Sequence, residues 1–273
     1  MIDLHTHTTA SDGHCTPDEL VARARAAGLT VLAVTDHDTV SGCDAAEAAC
    51  ERAGLTFVPG IEITAIRFGG DVHVLGYFID RRSPGLLGFL AEQRERRIDR
   101  VRKMIGQLAS HGIRLDADAI LQPGLSDTTK AVGRPWIARA LVHAGHVATT
   151  NEAFDKWLAR GRPAFVPRLG AAPGEVVRRI HEAGGIASLA HPGLLAHDDW
   201  IPELAAAGLD AIEAYHSEHD TLATATYIAI AKRMKLAISG GSDYHADDSH
   251  GAVALGAISL PREHFDELVR RTL

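Results

Sequence analysis

The chain has only three cysteines, Cys15, Cys43 and Cys50, an odd number with no C-x-x-C pair. That argues against a disulfide framework and for a reducing compartment, with all three read as small apolar residues. No apolar run approaches the roughly 20 residues that a membrane-spanning helix needs. The opening Met-Ile-Asp-Leu-His has neither a basic stretch nor a signal-type apolar stretch, so export by that route is not expected and a cytoplasmic location is. There is no internal repeat and no low-complexity tract. Neither a G-x-S-x-G elbow nor a Cys–His pattern signals nucleophilic catalysis. Lysine is absent until Lys103.

What remains is ordinary globular composition over 273 residues, 46% hydrophobic and 23% charged, enough for one large domain or a domain with an insertion. The net charge of −7 is uneven. From Arg94 to Arg179 there are 16 Lys and Arg against 8 Asp and Glu, whereas the rest of the chain carries 12 against 27. An acidic scaffold suits metal coordination and a basic segment suits an anionic substrate; as surface alone, the run over 94–103 reads as the solvated face of a helix.

Short apolar strands alternate with helices. Strands are expected over residues 2–4, 31–35, 57–63 and 72–79, and again over 186–189, 211–214 and 237–239. A helix over 17–27 has Thr16 as N-cap and Gly28 as its stop. Between Pro84 and about residue 170 the strands disappear, and charged helical sequence takes over at 84–111, 128–144 and 152–160. Repeated β/α units with a helical interruption predict a parallel barrel with an insert. The expected division is a barrel of 1–98 and 171–273 and a helical insert of 99–170 for substrate recognition.

Chemistry in such barrels sits at the C-terminal ends of the strands. Six of the 16 histidines fall there with three carboxylates: His5, His7, Asp12, His37, Glu62, His73, His191, Asp243 and His245. A lone His-x-His is a weak signal. Here it is joined by Thr-Asp-His37-Asp, Gly-Ile-Glu62-Ile-Thr, Ala-His191-Pro and Gly-Ser-Asp243-Tyr-His245. His5 and His7, two apart, point to one side. Imidazole and carboxylate suit Zn, Mn and Fe, and nine such ligands exceed what one ion takes.

With H-x-H, T-D-H, Glu, His, A-H-P and S-D-x-H all present, the chain resembles the PHP (polymerase and histidinol phosphatase) family of metal-dependent phosphoesterases along essentially its whole length. The start Asp-Leu-His-Thr-His-Thr-Thr-Ala-Ser-Asp-Gly and the insert Val-Gly-Arg-Pro-Trp-Ile-Ala-Arg-Ala-Leu resemble the nucleoside 3′,5′-bisphosphate phosphatase type and the related bacterial 5′–3′ exoribonucleases. The resemblance implies a distorted seven-stranded (β/α) barrel and up to three divalent ions, manganese favoured, with iron or zinc as alternatives. It implies one ion on His5, His7, Glu62 and Asp243, a second on Asp12, His37 and His245, and a third on Glu62, His73 and His191, with Glu62 bridging. Amidohydrolase barrels, which also carry a strand-end H-x-H, commonly bridge with a carbamylated lysine, and no lysine lies in the first four strands.

The chemistry expected is in-line attack on phosphorus by a metal-bridging hydroxide, with no covalent intermediate. Glu62 acts at the bridge, while Asp12, His245 or a bound water assists the leaving group. In the insert, Gly133-Arg134-Pro135 opens a helix, so free N–H groups stand beside a bidentate donor, a natural phosphate site. Arg134 and Pro135 lead the expected recognition residues, followed by Lys130, Arg102 and Lys103; surface ion pairing is the plainer reading of the last two. Trp136 is placed to pack or to stack on a base. The segment Glu213-Ala-Tyr-His216 reaches the pocket mouth or packs through Tyr215. The leading function is removal of the 3′-phosphate from a nucleoside 3′,5′-bisphosphate such as adenosine 3′,5′-bisphosphate. The runner-up is a 5′–3′ exoribonuclease on short 5′-phosphorylated RNA; a histidinol-phosphate-type phosphatase and a non-catalytic metal-binding module are less favoured. No membrane and no obligate protein partner is expected.

Overall fold

The computed structural model describes residues 1–127, 132–246 and 253–272. In chain order the elements are β1 (Ile2–Asp3), α1 (Pro17–Ala26), β2 (Val31–Val34), α2 (Cys43–Ala53), β3 (Thr56–Arg67), β4 (Gly70–Tyr77) and α3 (Pro84–Ser110). Then come α4 (Ala117–Ser126), α5 (Arg134–His143), α6 (Thr150–Ala153), a π-helical turn (Phe154–Leu158), α7 (Pro173–Glu182), β5 (Ile186–Leu189) and α8 (Pro192–Leu195). A 3-10 turn (Asp198–Trp200), α9 (Ile201–Ala206), β6 (Ala211–Tyr215), α10 (Thr221–Met234), β7 (Ala237–Gly240) and α11 (Arg262–Arg270) complete the chain. None of the described helices is long and apolar enough to cross a membrane.

The seven strands form one sheet in sequential order. β1, β2 and β3 are parallel, as are β5, β6 and β7. The ends of the sheet meet: Leu4 N–H donates to Gly240 O at 3.2 Å, Asp243 N–H to His5 O at 2.9 Å and His7 N–H to Tyr244 O at 2.9 Å. The seven-stranded α/β barrel is thus observed, with one correction to the expectation of a parallel barrel. β4 runs antiparallel to β5, Val74 opposite Leu189 and Tyr77 opposite Ile186. The cause is the connection before it. Only Phe68 and Gly69 separate β3 from β4, both at positive φ (48° and 74°), which makes a hairpin turn and leaves no room for a crossover.

Two compact units divide the chain, one of Met1–Arg67, Asp71–Leu90 and Ala171–Leu273, the other of Phe68–Gly70 and Ala91–Gly170. One boundary between the units falls inside helix α3, between residues 90 and 91. Each unit has its own core. In the barrel, Leu4, Ile61, Val74, Leu75, Tyr77, Leu189 and Ile212 are among the buried residues, with a second layer of Leu20, Leu32, Val34 and Ala46 under α1 and α2. The helical unit packs Met104, Leu108, Leu121, Ile137 and Leu141. Helix α1 begins as expected: Thr16 accepts from Glu19 N–H while the Glu19 carboxylate accepts from Thr16 N–H, a capping box with Pro17 in the first turn.

Candidate metal centre

Local backbone chemistry brings the nine residues to one end of the barrel. After β1, side chains alternate: Thr6 turns to β2 and donates to Ala33 O at 2.6 Å, while His5 and His7 turn inward and are fully buried. The Asp3 carboxylate accepts from His5 N–H (3.3 Å) and Ser242 N–H (2.9 Å), tying β1 to the loop that follows β7. That loop passes so close that only glycine fits at 241, where an added Cβ would meet His5. Asp36 accepts from Thr8 N–H, the Thr8 hydroxyl and the Ser11 hydroxyl, each at 2.7 Å, which fixes the loop leading to Asp12. Asp243 (φ 55°) and His191 (φ 24°) hold left-handed backbone that non-glycine residues seldom adopt, a strain of the kind concentrated at functional sites. His73 lies near the start of its strand rather than after it, because reversed β4 presents its N-terminal half at the end where parallel strands present their C-termini.

Glu62 is the hub. Its Oε2 faces His5 Nε2 at 3.4 Å, His7 Nε2 at 3.3 Å and His37 Nδ1 at 3.0 Å. Its Oε1 faces His73 Nδ1 at 2.8 Å and His191 Nε2 at 3.1 Å. Asp243 Oδ1 lies 3.3 Å from His5 Nε2 and 3.1 Å from His7 Nε2. Asp12, whose side chain is 44% exposed, marks the open edge, with Oδ1 at 3.3 Å from His245 Nε2 and Oδ2 at 3.7 Å from His37 Nε2.

The electrostatics follow from burying carboxylates among imidazoles. Burial opposes ionisation of Glu62, but His37, His73 and His5 outweigh it and hold the carboxyl well below its usual range. Burial likewise opposes charging of His37, yet Glu62 and Asp12 raise it to about 9. His7, buried and flanked by His37 and His245, is lowered to about 4.

The donor set fits divalent cations. Among the described residues, His5 Nε2, both ring nitrogens of His7, His37 Nδ1, His73 Nδ1 and Glu62 Oε2 are buried without a hydrogen-bond partner. Buried polar atoms are rarely left so, and atoms that converge this way suit the coordination of a divalent cation. Ligand atoms lie within 4.8 Å of one another in four groups: His7, Asp12, His37 and His245; His5, His7 and Asp243; His37, Glu62 and His73; and His5, Glu213 and His216.

The last group contains two residues that the sequence left at the pocket mouth or in packing. Glu213 is fully buried and His216 nearly so. The available signal was a carboxylate inside the apolar strand Ala211–Tyr215.

The recognition candidates lie in the helical unit. Arg134 and Pro135 open α5 behind Gly133, which provides no side-chain cap, and the Arg134 guanidinium stands 5.6 Å from the centre of the Phe154 ring. Arg102 and Lys103 are exposed on α3, Arg102 at 4.0 Å from Asp99. Lys130 lies outside the described residues.

Residues 3–134 match the family model for the PHP domain. The chain is 36% identical over 252 residues to the 5′-3′ exoribonuclease Rnm of Salmonella typhimurium, covering 90% of this chain and 85% of that protein. It is 35% identical over 255 residues to the 3′,5′-nucleoside bisphosphate phosphatase of Chromobacterium violaceum, covering 92% and 89%. Among solved structures, a candidate metal-dependent phosphoesterase of Bifidobacterium adolescentis superimposes with a TM-score of 0.82 at 31% identity, over 100% of this chain and 96% of that one.

Proposed function

Because this chain belongs to the PHP-domain family, we propose that its metal centre hydrolyses the phosphoester at O3′ of a nucleotide that also carries a 5′-phosphate. The leading substrate is a nucleoside 3′,5′-bisphosphate, adenosine 3′,5′-bisphosphate for one, which yields the 5′-monophosphate and phosphate. The observation that carries the reading is Glu62, whose two oxygens face separate sets of imidazoles as a bridging ligand's must. The second reading, stepwise 5′–3′ hydrolysis of 5′-phosphorylated RNA, is supported by the 36% relative named for that activity. Both break the same P–O3′ bond; they differ in whether the phosphorus bears a further nucleotide.

His5, His7, Glu62 and Asp243 are assigned to one ion, Asp12, His37 and His245 to a second, and Glu62, His73 and His191 to a third, manganese being the favoured metal. Once bound, such ions polarise phosphoryl oxygens and lower the pKa of water. The Asp12–His245 pair, at the open edge, is assigned the proton of the departing O3′. Arg134, at the uncapped start of α5, is assigned the non-reacting phosphate, with Pro135 presetting the helical turn and Lys130, Arg102 and Lys103 adding positive charge. The three buried free cysteines support a cytoplasmic setting.

Product analysis with manganese-loaded protein and adenosine 3′,5′-bisphosphate tests the reading. Phosphate and 5′-AMP are expected; 3′-AMP would overturn it. No turnover on the bisphosphate together with 5′-nucleotide release from 5′-phosphorylated RNA would transfer the assignment to the exoribonuclease. Arg134→Ala is expected to raise KM for the bisphosphate while leaving p-nitrophenyl phosphate turnover unchanged.

A further inference from the structure

Six of the seven strands lead to a nominated metal ligand: His5, His37, Glu62, His73, His191 and Asp243 follow or lie on β1 to β5 and β7. β6 leads to none. What stands there instead is Glu213 and His216, both buried and both in contact with ligands contributed by other strands.

Glu213 uses both of its oxygens. Oε1 lies 2.9 Å from His5 Nδ1, and Oε2 accepts the His191 backbone N–H at 2.8 Å. The first contact places the His5 proton on Nδ1, which leaves Nε2 as the lone pair directed at Glu62 and Asp243. The second holds the His191 backbone in its left-handed conformation. The same loop is gripped again two residues on, where Gly193 N–H donates to His219 Nε2 at 3.1 Å, and His219 Nδ1 lies 3.0 Å from Ala214 O.

His216 has the opposite tautomer. Its Nδ1 accepts the Glu218 backbone N–H at 3.1 Å, so in the neutral ring the proton is on Nε2. That nitrogen is 3.5 Å from Asp243 Oδ2. A protonated Nε2 is no metal ligand, although His216 belongs to a group close enough to surround an ion. It is a donor aimed at the Asp243 oxygen that does not face His5 and His7.

We propose that Glu213 and His216 are positioning residues of the metal centre: Glu213 orients His5 and the His191 loop, and His216 Nε2–H holds Asp243 so that Oδ1 stays turned to the ions. This rests on the proposed ligand roles of His5, His191 and Asp243. Removing such a supporting contact typically weakens metal affinity by about 10–100-fold.

The test is titration of chelator-treated full-length protein with Mn(II), free ion being followed by electron paramagnetic resonance, with thermal melting of the metal-free protein alongside. Glu213→Gln presents an NH2 group to one of its two donors and is expected to bind Mn(II) about 10–100-fold more weakly. His216→Ala is expected to weaken binding about tenfold, and His216→Gln, whose amide donor lies near the place of Nε2, to recover most of that loss. Should Glu213→Gln fail to fold, the two His216 variants decide. Binding within twofold of the unaltered chain for the folded variants overturns the proposal, as does a lower metal-free melting temperature with unchanged affinity, since that is a purely structural role. Failure of the unaltered chain to bind Mn(II) would instead remove the metal reading on which the proposal stands.

Discussion

A single methyl group at Gly241 is expected to damage both the fold and the metal centre. Built on its backbone, that methyl would lie 2.8 Å from Asp3 Oδ1 and closer still to the backbone nitrogen and Cβ of His5. Ordinary contact begins at 3.4 Å, so Asp3 must retreat by about 0.6 Å and His5 by more. Neither is the free end of a flexible side chain; both belong to buried β1 and the residues after it. Over-packing of this kind costs about 1–3 kcal/mol. Displacing a positioned group by about 1 Å costs roughly 100-fold in rate. Gly241→Ala is therefore expected to lose about 1–3 kcal/mol in urea unfolding and about 100-fold in manganese-supported phosphate release. The matched control is Gly88→Ala in α3, where nothing lies within 4 Å of the added methyl. A helical Gly-to-Ala change there should stabilise by about 0.5–1 kcal/mol and leave turnover alone. A Gly241→Ala protein with unaltered unfolding midpoint and turnover would refute the close-approach reasoning.

Three further outcomes are expected. Thr16→Ala removes half of the α1 capping box and should cost about 1 kcal/mol in denaturant unfolding with no change in Mn(II) affinity; a change in affinity would mean that α1 is coupled to the site. At pH 7 the metal-free centre holds protons, because His37 is raised to about 9, so Mn(II) must displace one and bind more weakly as pH falls below that value. Calorimetry in two buffers of different ionisation enthalpy should give different apparent heats, and equal heats would count against it. All three cysteines are buried, and burial pushes the Cys43 thiol up to about 12, so a disulfide-exchange reagent should react with the native chain only on unfolding. Rapid native labelling would contradict that.

The alternation of apolar runs with capped helices made most of the barrel legible, since buried parallel strands such as Val31–Val34 and Ile186–Leu189 are short, mostly apolar and bounded by turn residues. Strand direction was not written in those runs. It depended on Phe68-Gly69, a connection whose shortness becomes visible only when β3 is known to extend to Arg67. Helix α4 was hidden for a different reason. Pro123-Gly124 reads as a breaker, yet Pro123 lies within the helix and the bare Gly124 backbone leaves room for Trp136, whose ring atoms would stand 3.0 and 3.2 Å from any Cβ there. Tertiary packing overrode local propensity, with Asp116 as the one cue: its side chain caps Asp118 and Ala119.

Most of the metal-ligand candidates were legible because they stand in short motifs that follow apolar runs, although Glu62 lies within β3 and His73 near the start of β4. Glu213 and His216 lie outside that logic, since what they serve is not an ion but the orientation of residues from other strands, and such a partnership has no fixed spacing in sequence. Their trace is an asymmetry instead. In a ring of seven strands with a candidate ligand on six of them, the strand without one cannot be empty of polar groups, because the imidazoles beside it have second nitrogens that need partners in a place water does not reach. The carboxylate in Ala211-Ile-Glu213-Ala-Tyr answers that need, taking the Nδ1 face of His5 so that Nε2 is left to the centre. In a multinuclear barrel, the strand that carries no ligand motif is thus where the supporting layer should be sought.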